Sequence, residues 1–174
     1  EASGSNTNTI AKFAFSTDGT ASDVADLMSN KQALAGHASS THGYVSGGRN
    51  PSSTNEIDKF SFSSTGNATD VGNLGVGNQK VIGTSSSSYG YIDGGNDNGS
   101  QIQKFSFSSD GNATNVGNML SSTTHHTGSS STDYGYHTGT DVTIQKYSFS
   151  SDGNATDVGD LTASRGSGGG GTQY

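Results

Sequence analysis

The chain has 174 residues, a formal net charge of -7 at pH 7 and no cysteine, which excludes disulfides, thiolate metal sites and cysteine nucleophiles. Ile, Leu, Val and Phe make up roughly 15% of the residues, below the about 20% that warns of disorder and too few to line helices of ordinary length. Eight basic residues argue against nucleic-acid binding, and no apolar run approaches the roughly 18 residues of a membrane span.

A repeat begins near the amino terminus and recurs along the chain, which makes it the first feature to interpret. The string Ile-x-Lys-(Phe/Tyr)-x-Phe-Ser starts at Ile10, Ile57, Ile102 and Ile144. In three copies a later strand-like segment opens with Gly-Tyr, and its tyrosines are Tyr44, Tyr91 and Tyr136. The spacing predicts one repeat domain with units of 42 to 47 residues, approximately 1–48, 49–95, 96–140 and 141–174.

Four short strands are predicted in each unit. Alternation of apolar and polar residues from Ile57 to Ser63 indicates a half-buried strand. Asp-Gly, or Thr-Gly in the second copy, then predicts a hairpin turn before a strand of the type Asn-Ala-Thr-Asp-Val-Gly. The third strand runs through Val81 and Ile82, and the fourth contains Tyr91. Only the segment after the fourth strand changes length between copies, which predicts a loop on the face that repeat proteins often use for binding.

Four strands at this period predict an all-β fold, a β-propeller of four-stranded antiparallel blades with about four repeats in this chain. Stacked blades cover each other's faces, so the small apolar content suffices. The alternatives are a disordered Ser/Gly/Asn linker and a parallel β-solenoid. Three of the predicted strands occur in four copies, but the Gly-Tyr strand occurs in three. This difference favours a portion of a longer propeller or an arc completed by another chain, with a closed four-bladed ring as the alternative. Since signal peptide and initiator Met are both missing, we expect a mature or partial product.

The pattern resembles kelch-type β-propeller repeats in a divergent form. Tyr44-Val45-Ser46-Gly47-Gly48, the loop 49–56, the strand from Ile57 and the apolar pair Val71 and Leu74 occupy the corresponding roles, although the late tryptophan is absent. The segment Lys-Phe-Ser-Phe-Ser-Ser-Asp-Gly-Asn-Ala-Thr is also similar to repeats in phage tail-fibre and marine microbial surface proteins. The resemblance implies a fold and an extracellular or virion-surface setting, while propellers host many activities.

Candidate metal and modification sites each have a simpler interpretation. Asp110-Gly111-Asn112-Ala113-Thr114 places oxygens at alternate positions as calcium loops do, but no bidentate Glu follows, so a β-turn is favoured and calcium is the alternative. The histidines share no repeat position, which favours solvated loop residues over a metal site; they are His37, His42, His125, His126 and His137. Sequons begin at Asn67, Asn98, Asn112 and Asn154, and repeat duplication explains three of them without a glycan. The repeated lysines, such as Lys59, are expected to discourage pairing at strand edges.

The functional prediction is a non-enzymatic module for adhesion or recognition, extracellular or on a virion surface, because no triad, paired carboxylate or metal cluster supports catalysis. Its partner is predicted to be a cell-surface glycan or receptor, within a homo-oligomer or larger assembly, without nucleic acid, membrane insertion or cofactor. The candidate ligand-binding residues are Tyr44, Tyr91, Tyr136, Asn96, Asp97 and Asn98. The alternative for the tyrosines is packing between blades. The alternative function is a structural repeat of a fibre, filament or shell that binds only copies of itself.

Overall fold

The computed structural model describes residues 7–97, 99–122, 124, 127–139 and 141–164. Within those ranges the regular secondary structure is fourteen β-strands without a helix, which confirms the all-β prediction. The strands form four antiparallel sheets, numbered here in chain order. Sheet I contains β1 (Thr9–Lys12) and β2 (Ser22–Asp26); sheet II contains β3 (Ala35–Ala38), β4 (His42–Ser46), β5 (Glu56–Ser61) and β6 (Thr69–Asn73); sheet III contains β7 (Val81–Ser85), β8 (Tyr89–Gly94), β9 (Gln101–Ser106) and β10 (Thr114–Asn118); sheet IV contains β11 (Thr127–Ser130), β12 (Tyr134–Thr138), β13 (Thr143–Ser148) and β14 (Thr156–Asp160).

In every sheet the strands pair in chain order, so each sheet is a meander. The described residues contain no helix long and apolar enough to cross a membrane. Four strands are confirmed in each of the first three repeat units, and the described part of unit 141–174 has two. Each four-stranded sheet takes its first two strands from one repeat unit and its last two from the next. Sheet III, for example, joins the end of unit 49–95 to the start of unit 96–140.

The connection that contains Asp-Gly is longer than the sequence predicts. Strands β9 and β10 do pair antiparallel, but seven residues separate them and β10 begins only at Thr114. The predicted hairpin is therefore confirmed, with a seven-residue connection. The physical reason for this length is that the loop reaches the preceding sheet, where Asp110 accepts from Lys59 Nζ at 3.0 Å and Asn112 accepts from the backbone N–H of Asn73 at 2.9 Å.

The glycine of each Gly-Tyr pair lies opposite the leading aromatic of the next repeat. Gly90 on β8 is the cross-strand partner of Phe105 on β9, and the aromatic ring covers it. A Cβ atom at Gly90 would collide with that ring. A large ring over a cross-strand glycine fixes the register of two neighbouring strands. This contact explains why the glycine and the aromatic recur together.

Two hydrophobic clusters hold the three four-stranded sheets together. The first joins sheets II and III and contains Ala35, Tyr44, Ile57, Leu74, Val81, Ile92 and Phe105. The second joins sheets III and IV and contains Tyr91, Ile102, Met119, Tyr147 and Ala155. The first strands of successive sheets, β3, β7 and β11, contact each other in turn. Because each cluster serves two sheets, a chain with few apolar residues can still bury a core.

Candidate functional site

Two of the three tyrosines predicted to contact a ligand lie between sheets. Tyr44 stacks on Phe107 and Tyr91 stacks on Phe149, each with ring centroids 4.7 Å apart. Their hydroxyls donate to the carbonyl oxygens of the same phenylalanines, at 3.4 and 3.2 Å. The tyrosines are 2% and 1% exposed, and burial raises the pKa of Tyr91 to about 12. These contacts assign Tyr44 and Tyr91 to packing, which is the alternative that the sequence left open, whereas Tyr136 on β12 is half-buried.

Two of the repeated lysines, Lys59 and Lys104, connect neighbouring sheets rather than protect strand edges. Lys59 Nζ lies 3.0 Å from Asp110 Oδ1, and Lys104 pairs with Asp152 in the same way between sheets III and IV. Edge protection is therefore the wrong explanation for these two lysines. The same ion pairs engage the carboxylates considered for calcium. Within the described residues, no group of three or more His, Cys, Asp or Glu side chains could hold a metal ion.

The sequon asparagines also bridge sheets. Asn67, Asn112 and Asn154 each accept a backbone N–H from the preceding sheet through Oδ1, at 3.1, 2.9 and 3.0 Å. A backbone N–H at the end of a sheet needs an acceptor, and asparagine supplies one at a fixed place in the repeat. The recurrence of Asn-Ala-Thr therefore has a structural cause in this chain.

A buried polar network lies between the sheets and was missed by the sequence analysis. Asp93 Oδ1 is 2.6 Å from His137 Nδ1, and Asp93 Oδ2 accepts from the Tyr147 hydroxyl at 3.0 Å. The Tyr147 hydroxyl is also 2.6 Å from Thr84 Oγ1. Burial and the neighbouring Asp93 carboxylate both raise the pKa of Tyr147 well above its ordinary value. The network therefore cross-links sheets III and IV through satisfied polar groups.

Three histidines lie on strands, and the solvated-loop interpretation is therefore wrong for them: His42 begins β4 and is half-buried, and the other two are buried. His37 on β3 and His137 on β12 are 6% and 1% exposed. His125 and His126 lie outside the described residues. His37 Nδ1 is 3.2 Å from the Thr84 carbonyl oxygen and His37 Nε2 is 2.9 Å from Ser46 Oγ. Because a carbonyl oxygen can only accept, Nδ1 carries the proton and Nε2 accepts from the serine hydroxyl.

The stability of the chain should fall in acid because of His37. Burial lowers the pKa of His37 from 6.5 to about 4, so between these values the unfolded chain binds a proton that the folded chain does not. The free energy of unfolding should therefore fall by up to about 3 kcal/mol as the pH drops from about 6.5 to about 4. Urea unfolding of the wild type and of His37→Gln at pH 7.5 and 4.5 measures this.

The His37→Gln variant should lose much of this pH dependence. Asp58, whose pKa burial raises, acts in the opposite sense, since its protonated form is favoured in the folded chain. Its contribution is common to both proteins and cancels in the comparison. An equal fall in stability for both proteins between pH 7.5 and 4.5 would contradict the role of His37.

The other candidate ligand residues belong to the connection between β8 and β9. Asn96 and Asp97 are exposed, and Asn98 lies outside the described residues. The Ser53 hydroxyl donates to Asp97 Oδ2 at 2.6 Å, and the backbone N–H of Asp97 donates to Asn78 Oδ1 at 3.0 Å. The structure thus brings two variable connections together through these contacts, but it places Tyr44 and Tyr91 in the cores rather than beside them.

An open apolar groove lies along β1 at the sheet I end of the molecule. Its volume is about 630 Å³, and its lining includes Ile10, Phe13, Phe15, Val24, Phe60 and Phe62. Phe15 is 97% exposed and Phe13 is 60% exposed. In sheets III and IV a tyrosine from the preceding sheet stacks on the equivalent aromatic pair, whereas sheet I supplies no tyrosine to cover Phe60 and Phe62 of sheet II. The groove is the place where the repeated tyrosine contact is not made by any described residue.

Comparison with known proteins adds no family to these observations. The sequence matches no protein-family model, and no curated protein matches it.

Proposed function

We propose that the chain is a β-propeller-type module, extracellular or on a virion surface, that recognises a cell-surface glycan without catalysis. Three meander sheets in succession, with their first strands β3, β7 and β11 in contact, support a propeller-like arrangement. The resemblance of the repeat to kelch-type sequences supports the same architecture.

One observation carries the recognition function, namely that among the three four-stranded sheets one kind of connection varies much more in length than the others. The connections β5–β6, β9–β10 and β13–β14 have seven residues each, and those of type β3–β4 have three. In contrast, β4–β5, β8–β9 and β12–β13 are joined by nine, six and four residues. Constant scaffold connections with variable loops at one end are typical of binding proteins. We define the loop end as residues 47–55, 74–80 and 95–97.

The chemistry of the loop end suits a neutral polar ligand. Asn96 and Asp97 are exposed, and the contact between Ser53 and Asp97 holds the carboxylate in place. The Asp97 carboxylate can accept hydrogen bonds from sugar hydroxyls, and the Asn96 amide can both donate and accept them. Pre-organised groups also lose less conformational entropy on binding than free side chains do.

A glycan array of the 174-residue chain, followed by titration of the best glycan, tests this function. We expect the double variant Asn96→Ala with Asp97→Ala to bind about tenfold more weakly, since it removes hydrogen-bonding groups that the ligand needs. Asp133→Ala is the matched control, because Asp133 is an exposed carboxylate in the β11–β12 turn, at the other end of the strands. Absence of binding to every glycan, or equal losses in both variants, would contradict the proposal.

A structural role is the second candidate, and the exposed ends of the sheet stack favour it. Phe13 and Phe15 are exposed at sheet I, and all five residues of β14 are exposed at sheet IV. Exposed aromatic residues of this kind mark interaction surfaces in soluble proteins.

A further inference from the structure

The contacts between neighbouring sheets follow one rule that is repeated inside the chain. Each four-stranded sheet has a leading face, which carries the repeated tyrosine and lysine, and a trailing face, which carries the aromatic pair and the loop with Asp-Gly, or Thr-Gly in sheet II. Between sheets II and III the rule gives Tyr44 on Phe107 and Lys59 with Asp110. Between sheets III and IV it gives the equivalent contacts with Phe149 and Asp152.

The leading face of sheet IV has no sheet upon it among the described residues. Ile57 and Ile102 are fully buried in sheets II and III, whereas the equivalent Ile144 is only half-buried. Val158 on β14 is 45% exposed. Lys146 Nζ lies 4.5 Å from the centroid of the Tyr134 ring, where the equivalent lysines pair with a carboxylate. This face therefore presents a tyrosine strand, a lysine and an apolar patch to the solvent.

The trailing face of sheet I offers the complementary groups. Phe13 and Phe15 stand in the positions of Phe105 and Phe107, and both are exposed. Asp18 stands in the position of Asp110 and Asp152, five residues after the leading aromatic. Among the described residues neither Lys146 nor Asp18 makes an ion pair, so the lysine at one end matches the carboxylate at the other in charge.

We propose that these two faces bind each other between two copies of the chain. The leading face of sheet IV in one copy covers the trailing face of sheet I in the next, with Tyr136 on Phe15 and Lys146 beside Asp18. The partner is a second copy because the two faces carry complementary aromatic and charged groups of the same repeat, and the described residues do not bring them together: Phe15 is 97% exposed and all five residues of β14 are exposed. A head-to-tail contact of this kind generates a ring or an open filament.

Two departures from the internal rule make the contact between copies weaker than the contacts inside the chain. Gln103 and Gln145 accept a backbone N–H from the preceding sheet at 2.7 and 2.8 Å, but the equivalent residue in sheet I is Ala11. Sheet I also has two strands instead of four. The association is therefore reversible, and it is independent of the proposed glycan recognition while giving the structural role a defined interface.

Sedimentation velocity of the 174-residue chain without glycan, over about 1 to 500 μM, tests the interface. The weight-average sedimentation coefficient should rise with concentration. Phe15→Ser should weaken association about tenfold or more, since it removes the aromatic contact from an exposed site that folding does not need. Leu120→Ser is the matched control, because Leu120 is 55% exposed but lies outside both faces; it should associate like the wild type.

A charge exchange tests the orientation of the two copies. Lys146→Asp and Asp18→Lys should each weaken association by placing like charges together, and the double variant should restore most of it. Circular dichroism and thermal melting establish that each variant folds. A chain that stays monomeric at every concentration, an unaffected Phe15→Ser variant, or a double variant no better than the single ones would overturn the proposal. None of these results depends on whether a glycan binds.

Discussion

Replacing Asp93 by alanine should lower the free energy of unfolding by about 3 to 5 kcal/mol, the largest effect we expect from a single substitution. Asp93 is fully buried and accepts from two side chains of sheet IV, His137 and Tyr147. Alanine removes both acceptor oxygens while the two donors stay buried. A buried donor that loses its partner costs the free energy of its desolvation, which exceeds the net value of the hydrogen bond.

Urea unfolding followed by circular dichroism measures this effect. Asp93→Asn should be less destabilising than Asp93→Ala, because its single carbonyl oxygen still accepts from one partner. Asp133→Ala is the control for loss of an exposed carboxylate, and it should change stability by no more than about 0.5 kcal/mol. A loss below about 1 kcal/mol for Asp93→Ala would show that the network adds little to the contact between sheets III and IV.

The strands that recur in each unit could be predicted from the sequence because the residue pattern that produces them recurs as well. The alternation around each leading aromatic reports a strand with one face buried, and this holds for β5, β9 and β13. The variable connections could be predicted as well, because only segments outside the paired strands tolerate a change of length.

The division of the strands into sheets could not be predicted in the same way. Because one repeat unit follows another, a unit of four strands does not determine which of the four is the first strand of a sheet. The choice is made by pairing: β8 pairs with β9 across the variable loop, whereas β6 and β7 belong to different sheets. The long spacing between the apolar pair and the next glycine is the only trace of this in the sequence.

The buried network was missed because its members do not recur. His137 stands where the other copies have Val45 and Ile92, and Tyr147 carries a hydroxyl where the other copies have a phenylalanine such as Phe105. A search for shared positions passes over such residues. A polar residue at a position that is apolar in the other copies was the available signal, since such a residue is buried with the rest of its strand and needs a partner.

Replacing Gly117 by alanine should separate sheets III and IV and lower the free energy of unfolding by about 2 to 3 kcal/mol. A Cβ atom at Gly117 would collide with the carbonyl oxygen of Gly153, which is backbone and cannot move aside like a flexible side chain. Gly153→Ala is the matched control, because a Cβ atom there meets nothing within 4 Å.

The two variants distinguish a steric contact between sheets from a general preference for glycine in this repeat. Both introduce one methyl group on opposite sides of the same contact, and both reduce the freedom of the unfolded chain equally. Only Gly117→Ala should lower the melting temperature and loosen the stack of Tyr91 on Phe149, which tyrosine fluorescence can follow because the chain has no tryptophan. Equal melting temperatures for the two variants would mean that sheets III and IV can move apart at no cost, and the tight contact at Gly117 would then not define the spacing of the stack.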